Sequence, residues 1–399
     1  MKKVDMNAYG CFLMLFLSGW LTPNVSAQPW EKKFSHEVYE AIANGELRSS
    51  SASYVLNDIG NYQGALQLNE VRLEWGLDTL NVDKPLNIVG PEEYFSSIKD
   101  DVKVVIVSEA HQKPQHRIFT RRILKSLYDQ GFRHLGIEAL TPNFDNPHFV
   151  LDSLLNERKY PMGSPLTGRY AMEPMMGQLI REALQMGFTV FGYDEFGGDV
   201  ERDLGQAMTI KKMMDQYPDG KFLIHCGWYH AIESNYPKRR DGNYMAHHLK
   251  QLTGMDPLTV YQDVLSEKYL YKESPIYDKL SGEMGIVVNE EDGTPLKLID
   301  HFDLLVFHPR TTFQYGRPSF LLSNPGWKSV ELSLGEYDFT YPVRIEATLD
   351  SEVIEATPLD RMEQLSRYQN MRLVLPQGDY NIQIIDIAGK LIHFVLKVE

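Results

Sequence analysis

The sequence predicts an α/β protein: a mainly parallel sheet with helices on both faces, followed by a small C-terminal antiparallel β module. Three observations predict it. Runs such as DVKVVIVSEA, FRHLGIEAL, FTVFGYDEF and KFLIHCGWYH are nearly continuous in apolar residues, as strands must be when both faces of their sheet are covered. Between them lie helical patterns of about ten to seventeen residues, long enough for the crossovers that parallel pairing requires. Beyond residue 316 the pattern changes to short alternating segments separated by turn residues, which suits antiparallel strands, most simply a sandwich.

The chain opens with Lys2 and Lys3, the apolar run CFLMLFLSGWL, and VSA at Val25 to Ala27. That is the layout of a secretory signal peptide, with cleavage expected after Ala27. Its apolar core, residues 11 to 21, is too short to span a bilayer comfortably. The expected location is therefore exported, periplasmic or extracellular, with no transmembrane segment in the mature chain. Cys11 has no lipobox-like setting, and its loss leaves Cys226 as the only cysteine. An exported chain with one thiol closes no internal disulfide and must rely on its core. Losing Lys2, Lys3 and Asp5 takes the formal net charge from −14 to −15. So acidic a protein repels nucleic acid and anionic lipid, and no nucleic-acid partner is expected.

Residues 28–90 read as an N-terminal helical segment, with the apolar spacing of 34 to 77 suiting short helical hairpins. Residues 91–315 form the α/β domain. Here QHRIFTRRILKSLYDQG is an amphipathic helix ending at Gly131, MEPMMGQLIREALQMG one ended by Gly187, and LGQAMTIKKMMDQYPDG and YMAHHLKQLTG two more. PLTVYQDV and FDLLVFHPRT add strands, and GIVVNEEDGTPLKLID suggests a hairpin around Asp292-Gly293. Residues 316–399 form the β module, with 359 to 370 expected as a helical or irregular insertion. Its chemistry is not clustered, which leaves packing, substrate presentation or surface association. Its last strands loosely resemble β-rich tails of exported bacterial proteins.

Parallel strands with right-handed crossovers send every C-terminal strand end to one edge, where such sheets bind ligands. The strand ends bring Glu109 and His111, then Glu138, then Asp194 and Glu195, then His225 and His230. Glu138 follows Leu135, Gly136 and Ile137, a buried setting in which a carboxylate needs a partner. His230, after a Gly-Trp-Tyr turn, is the better functional candidate, whereas His225 lies within its strand and suits a hydrogen-bonded core role. Asp194 and Glu195 sit beside Gly197 and Gly198, where either carries a role or is simply solvated. His116, His247 and His248 fall on helices. The second-tier pocket candidates are His116, Tyr193, Asp194, Glu195 and Trp228, and the crossover from Pro161 to Tyr170 is placed to cover the pocket. A Cys226–His nucleophile would need a lowered thiol pKa, which nothing in the sequence supplies. The sequence has no G-x-S-x-G elbow, no H-E-x-x-H and no phosphate loop.

Ser108-Glu-Ala-His111 and Gly227-Trp-Tyr-His230 resemble the two G-x-x-H signatures of the TIKI/TraB and ChaN-like proteins, grouped with the erythromycin esterases. Glu138 matches the acidic residue that ends the next strand in that superfamily, and His116 a second histidine of ChaN-like members. The resemblance covers roughly residues 95 to 310. Ser108 departs from the pattern by standing where the family has glycine. The resemblance implies three activities: metal-free ester hydrolysis by histidine and glutamate, metal-dependent peptide cleavage, or haem or iron uptake. The residues favour an exported hydrolase of a small-molecule or peptide substrate, with Glu109, His111, Glu138 and His230 catalytic. A divalent metal, if one is bound, would take His111, Glu138 and His230 as ligands. The alternative is a haem- or iron-binding uptake protein, using an axial His or Tyr and aromatic contacts.

Overall fold

The computed structural model describes residues 33–68, 82–195, 201–236 and 242–399. The signal peptide, residues 69–77 of the N-terminal segment and Gly197–Gly198 lie outside them. The helices α1 (Ser35–Ala43), α2 (Ser49–Ile59) and α3 (Tyr62–Leu68) come first. The α/β domain follows as β1 (Leu86–Val89), α4 (Pro91–Ser96), β2 (Val104–Glu109), α5 (Gln115–Asp129), β3 (Phe132–Ile137), α6 (Leu155–Arg158), α7 (Pro174–Met186) and β4 (Thr189–Gly192). It continues as α8 (Arg202–Gln216), β5 (Lys221–Gly227), α9 (Met245–Thr253), β6 (Leu258–Leu265), β7 (Gly285–Asn289) and β8 (Leu304–Phe307). The C-terminal part holds β9 (Phe313–Gln314), β10 (Arg317–Pro318), α10 (Ser319–Leu322), β11 (Trp327–Glu331), β12 (Val343–Leu349), β13 (Asp360–Gln364), β14 (Arg372–Pro376), β15 (Gly378–Asp386) and β16 (Leu391–Val398).

The eight-stranded main sheet has the order β1-β7-β8-β6-β2-β5-β3-β4. All neighbours from β8 through to β4 pair in parallel, and β7 alone runs against its neighbours. Alternation along the strands divides the core. Val105, Val107, Leu135, Ile137 and Leu223 face α5 and α7, and Val104, Ile106, Phe191, Phe222 and Ile224 face α8 and α9. From β2 the chain leaves through α5 toward β3, whereas from its neighbour β5 it leaves through α9 toward β6, on the other side of β2. The connections thus part above the β2/β5 pair, which is where a parallel sheet opens a crevice.

Three expectations change. The main sheet begins inside the segment read as helical, because LNIV pairs with β7 from Leu86↔Asn289 to Val89↔Ile286. The turn at Asp292-Gly293 forms, with Gly293 at φ +68° and its N–H donating to Asn289 O. Its return arm makes only the Val288↔Pro295 bridge, since β7 is taken up by β1 and β8. Residues 360–364 are a strand rather than an insertion: β13 pairs with β12, Met362 is buried, and Asp360 accepts from Arg317 and from the Val374 N–H. The module packs the four-stranded sheet β13-β12-β15-β16 against the β11-β14 pair, around Val343, Ile345, Met362, Leu373, Leu375 and Ile382.

Candidate active site

At the end of β2 the buried Glu109 is held on every side. Arg117, on α5, donates from Nε to Glu109 Oε2 at 2.7 Å and from Nη2 to Oε1 at 2.9 Å. His225 Nε2 lies 3.0 Å from Oε2, and His111 Nδ1 lies 2.6 Å from Oε1. Burial alone would raise the carboxyl, but Arg117, then His225 and the His111 bond, hold it well below the ordinary carboxylate range. Glu109 is therefore ionised, and His111 Nδ1–H donates to it. That fixes the tautomer and leaves Nε2 as the acceptor; among the described residues no hydrogen bond occupies it. Arg117 is also tied at 2.7 Å to Glu173, so two carboxylates balance one buried guanidinium.

Across the cavity a second histidine is held in the same way by other elements. His230 Nδ1 lies 2.6 Å from Asp203 Oδ1, and Asp203 also accepts from the Met245 N–H at 2.8 Å. Arg202 donates to Glu138 at 2.7 Å and to both oxygens of Asp194 at 2.9 Å, and its Nη1 is 3.2 Å from His230 Nε2. Burial and Arg202 disfavour the imidazolium, but Glu138, 3.4 Å away, and Asp203 outweigh them and raise the His230 pKa. Glu138 is lowered although burial opposes it, through His230, His111, Arg202 and the Gly227 N–H that donates to it. Burial, together with Glu138, raises Asp194 against the pull of Arg202.

These groups open on one cavity of about 570 Å³, lined among others by His111, Glu138, Asp194, Arg202, Trp228 and His230. Gly227 backs onto two of these side chains: a Cβ there would lie 2.5 Å from His111 Nε2 and 3.3 Å from Glu138 Oε2. No residue with a side chain fits. Trp228 follows with φ +33°, a backbone conformation that costs energy for a bulky residue. It sets its indole edge-on to His111, with ring centres 4.7 Å apart.

The structure thus brings Glu109, His111, Glu138 and His230 together, with Asp194 and Trp228. It places the other candidates elsewhere. His116 is fully buried; its Nδ1 accepts from the Ala110 N–H at 2.9 Å and its ring lies 4.5 Å from His308. Burial holds it well below its usual pKa, so it braces the loop behind His111 as a neutral ring. Tyr193 lies beneath the site, donating to His225 O at 2.8 Å. Glu195 turns toward α8, where a Cβ on Gly205 would meet its Cγ at 2.7 Å. Cys226 is buried, and burial pushes its thiol well up, which makes it inert as a nucleophile. Ser108 pairs regularly with Cys226 without positive φ, so this backbone has no need of glycine there.

Sequence reasoning missed Arg117, Arg202, Asp203 and Tyr54, and had Tyr170 only as the end of the crossover expected to cover the pocket. The signal for the second pair was Glu201-Arg-Asp opening a helix directly after a rim strand, where Glu201 caps by accepting from the Leu204 N–H. Nothing local marks Tyr54, on α2, or Tyr170.

The fit to a metal ion can be judged from the donors. Among the described residues no three His, Cys, Asp or Glu side chains are grouped to hold one. His111, Glu138 and His230 share the cavity, but the Arg202 guanidinium sits between the last two, and a cation there opposes a second. The provisional metal set therefore does not fit as arranged. A haem iron on His111 Nε2 would meet Gly227 and the Glu138 carboxylate, although Tyr54, Tyr170 and Trp228 supply an aromatic wall. No helix among the described residues is long and apolar enough to cross a membrane.

No family model matches the chain, and no curated protein matches its sequence. Solved structures similar to it include the type III effector HopBA1, at 12% identity over 57% of this chain and 96% of that one, with TM-score 0.36. Another is RRSP, a MARTX toxin effector domain from Vibrio vulnificus CMCP6, at 16% over 40% of this chain and 34% of that one, with TM-score 0.29. A third is ChaN of Campylobacter jejuni, described with cofacial haem binding, at 11% over 53% and 89%, with TM-score 0.31. Overlaps this slight transfer no activity, and the function is argued from the site.

Proposed function

We propose that this chain is an exported hydrolase that cleaves an ester or peptide bond by histidine–carboxylate acid-base catalysis. The observation that carries the reading is the meeting of two oriented pairs, Glu109–His111 and Asp203–His230, on either side of Glu138 in one cavity. His111 Nε2 takes a proton from water, and the hydroxide adds to the substrate carbonyl. Arg202, which lines the same cavity, balances the oxyanion. His230, favoured as the imidazolium by Glu138 and Asp203, then gives a proton to the leaving alcohol or amine as the carbonyl re-forms. The His111 proton is lost to solvent, His230 takes one back from it, and the products are an acid and an alcohol or amine. The two histidines differ in what faces them: His111 turns an unoccupied Nε2 to the cavity, whereas Glu138 and Asp203 raise the His230 pKa. Export is supported by the layout of residues 1–27.

The test is a panel of aryl esters and peptide anilides offered to the mature protein, its His111→Ala and its His230→Ala variants. Turnover in the parent that both variants lose supports the reading. The aromatic wall favours one other, a haem- or iron-binding uptake protein. A Soret band on hemin addition that His111→Ala abolishes, in a protein that hydrolyses nothing, would replace the hydrolase.

A further inference from the structure

We infer that Tyr170 is a positioning residue for His111, and that the C-terminal module sets its place through Thr357 and Arg361. The Glu109 bond anchors only Nδ1 of the His111 ring. Trp228 meets the ring edge-on, and a turn of the imidazole plane about the Nδ1 anchor would swing Nε2 off its target. Tyr170 opposes that turn by stacking on the face of the ring, centre to centre at 4.3 Å and 19° from coplanar. Tyr54 meets both rings edge-on, at 5.8 Å and 5.2 Å.

Tyr170 opens a three-residue 3-10 turn, Tyr170–Met172. So short a turn leaves its last carbonyls without donors of its own, and buried carbonyls must find them elsewhere. The module provides them. Thr357 Oγ1 donates to Ala171 O at 2.8 Å, and Arg361 Nη1 to Met172 O at 3.4 Å. Thr357, wholly buried in the connection from β12 to β13, is itself fixed: its N–H donates to Pro161 O at 3.0 Å, and its carbonyl accepts from Arg181 of α7.

Arg361 reaches further. It donates to the Asp58 carbonyl, and the Asp58 side chain accepts from Arg169 Nη1 at 2.8 Å, so α2, which carries Tyr54, is drawn into the same wall. Gly60, ending α2, lets the two backbones approach closely here, since a Cβ on it would run into the Arg361 carbonyl. On the inner side the turn runs into Glu173, which Arg117 ties to Glu109. A module without chemistry of its own thereby reaches the base through two carbonyls.

The kinetic arm of the test rests on the hydrolase reading; the spectroscopic arm does not. The His111 ring-proton signal of the full mature chain is identified by its loss in His111→Asn. Tyr170→Leu removes the stacked ring and moves that signal downfield. Thr357→Val moves it in the same direction by less, and Thr357→Ser, which keeps the hydroxyl, holds it at the parent position. On a hydrolysable substrate Thr357→Val lowers kcat on the order of tenfold with KM within about twofold, and Thr357→Ser restores it. A folded Thr357→Val, or a folded Tyr170→Leu, whose His111 signal stays put overturns the inference. If Thr357→Val does not fold, Arg361→Lys reads the same turn, and an unmoved signal there counts equally against it. A parent that hydrolyses nothing removes the enzyme and leaves the spectroscopic result to decide.

Discussion

The two histidine–carboxylate pairs share a 2.6 Å bond and differ in almost everything around it. Glu109 and His111 are two residues apart, and the carboxylate is 2% exposed and clamped by a buried guanidinium. Asp203 and His230 come from α8 and from the turn after β5, and their arginine neighbour, Arg202, has a side chain 40% exposed at the cavity. Both carboxylates are buried, Asp203 at 1% exposure, but Glu109 is paired with a guanidinium that is itself buried, which makes the first pair rigid. The second is a charge-rich donor whose proton affinity Glu138 and Asp203 raise. One chemical unit thus sits in two different electrostatic surroundings, and the proposed acid and base roles follow that difference.

The harshest way to break the contrast is to delete the acceptor. His111→Ala is expected to lower kcat by ~10²- to 10⁴-fold while its melting temperature stays near that of the parent, measured by steady-state kinetics and thermal scanning. Glu109→Ala should do comparable damage to activity and, unlike His111→Ala, destabilise the fold by about 3–5 kcal/mol, because Arg117 is left buried with only one of its two carboxylates. Denaturant titration separates the two. Next, Gly227→Ala drives a methyl between His111 Nε2 and Glu138 and should cost roughly 10- to 100-fold in kcat. A variant as active as the parent would mean that the space between His111 Nε2 and Glu138 is not where the chemistry occurs.

Asp203→Asn is a finer probe. Asp203 helps raise the His230 pKa, so the variant should lower the alkaline limb of the pH–rate profile and leave the acid limb in place. Stability should separate the pairs in the same sense. Glu109 is depressed on folding, so its contribution is complete above its ordinary value of 4.5 and is lost as pH falls toward its lower folded value. His230 is raised, so its contribution is complete below 6.5 and is lost as pH climbs through its higher folded value. Glu109→Gln should therefore flatten the acid loss of melting temperature and Asp203→Asn the alkaline loss. The smallest effect belongs to Cys226→Ala: unchanged kcat and a stability cost of about 1 kcal/mol.

The first pair was legible in the sequence and the second only by half. Glu109 and His111 follow an unbroken apolar strand, and Glu138 and His230 fall in phase on later strands, so topology alone gathered all four. Arg202 and Asp203 open a helix, where acidic and basic residues ordinarily mean capping or solvation, and no local pattern separates that role from a site. Likewise DRMEQ at β13 has little strand character by composition. It pairs because β12 lies beside it and because Arg317 and the Val374 N–H receive Asp360.

What the sequence determined by itself was the alternation of buried strands and amphipathic helices, and therefore which edge collects the chemistry, since side-chain periodicity and crossover handedness are local properties of the chain. Only the tertiary structure decided which charges neutralise which, that a guanidinium sits where a metal set was expected, and that Thr357 and Arg361 brace the wall over His111. Those outcomes depend on distances between residues up to about three hundred positions apart, as from Arg361 to Asp58, and no periodicity along a chain encodes them.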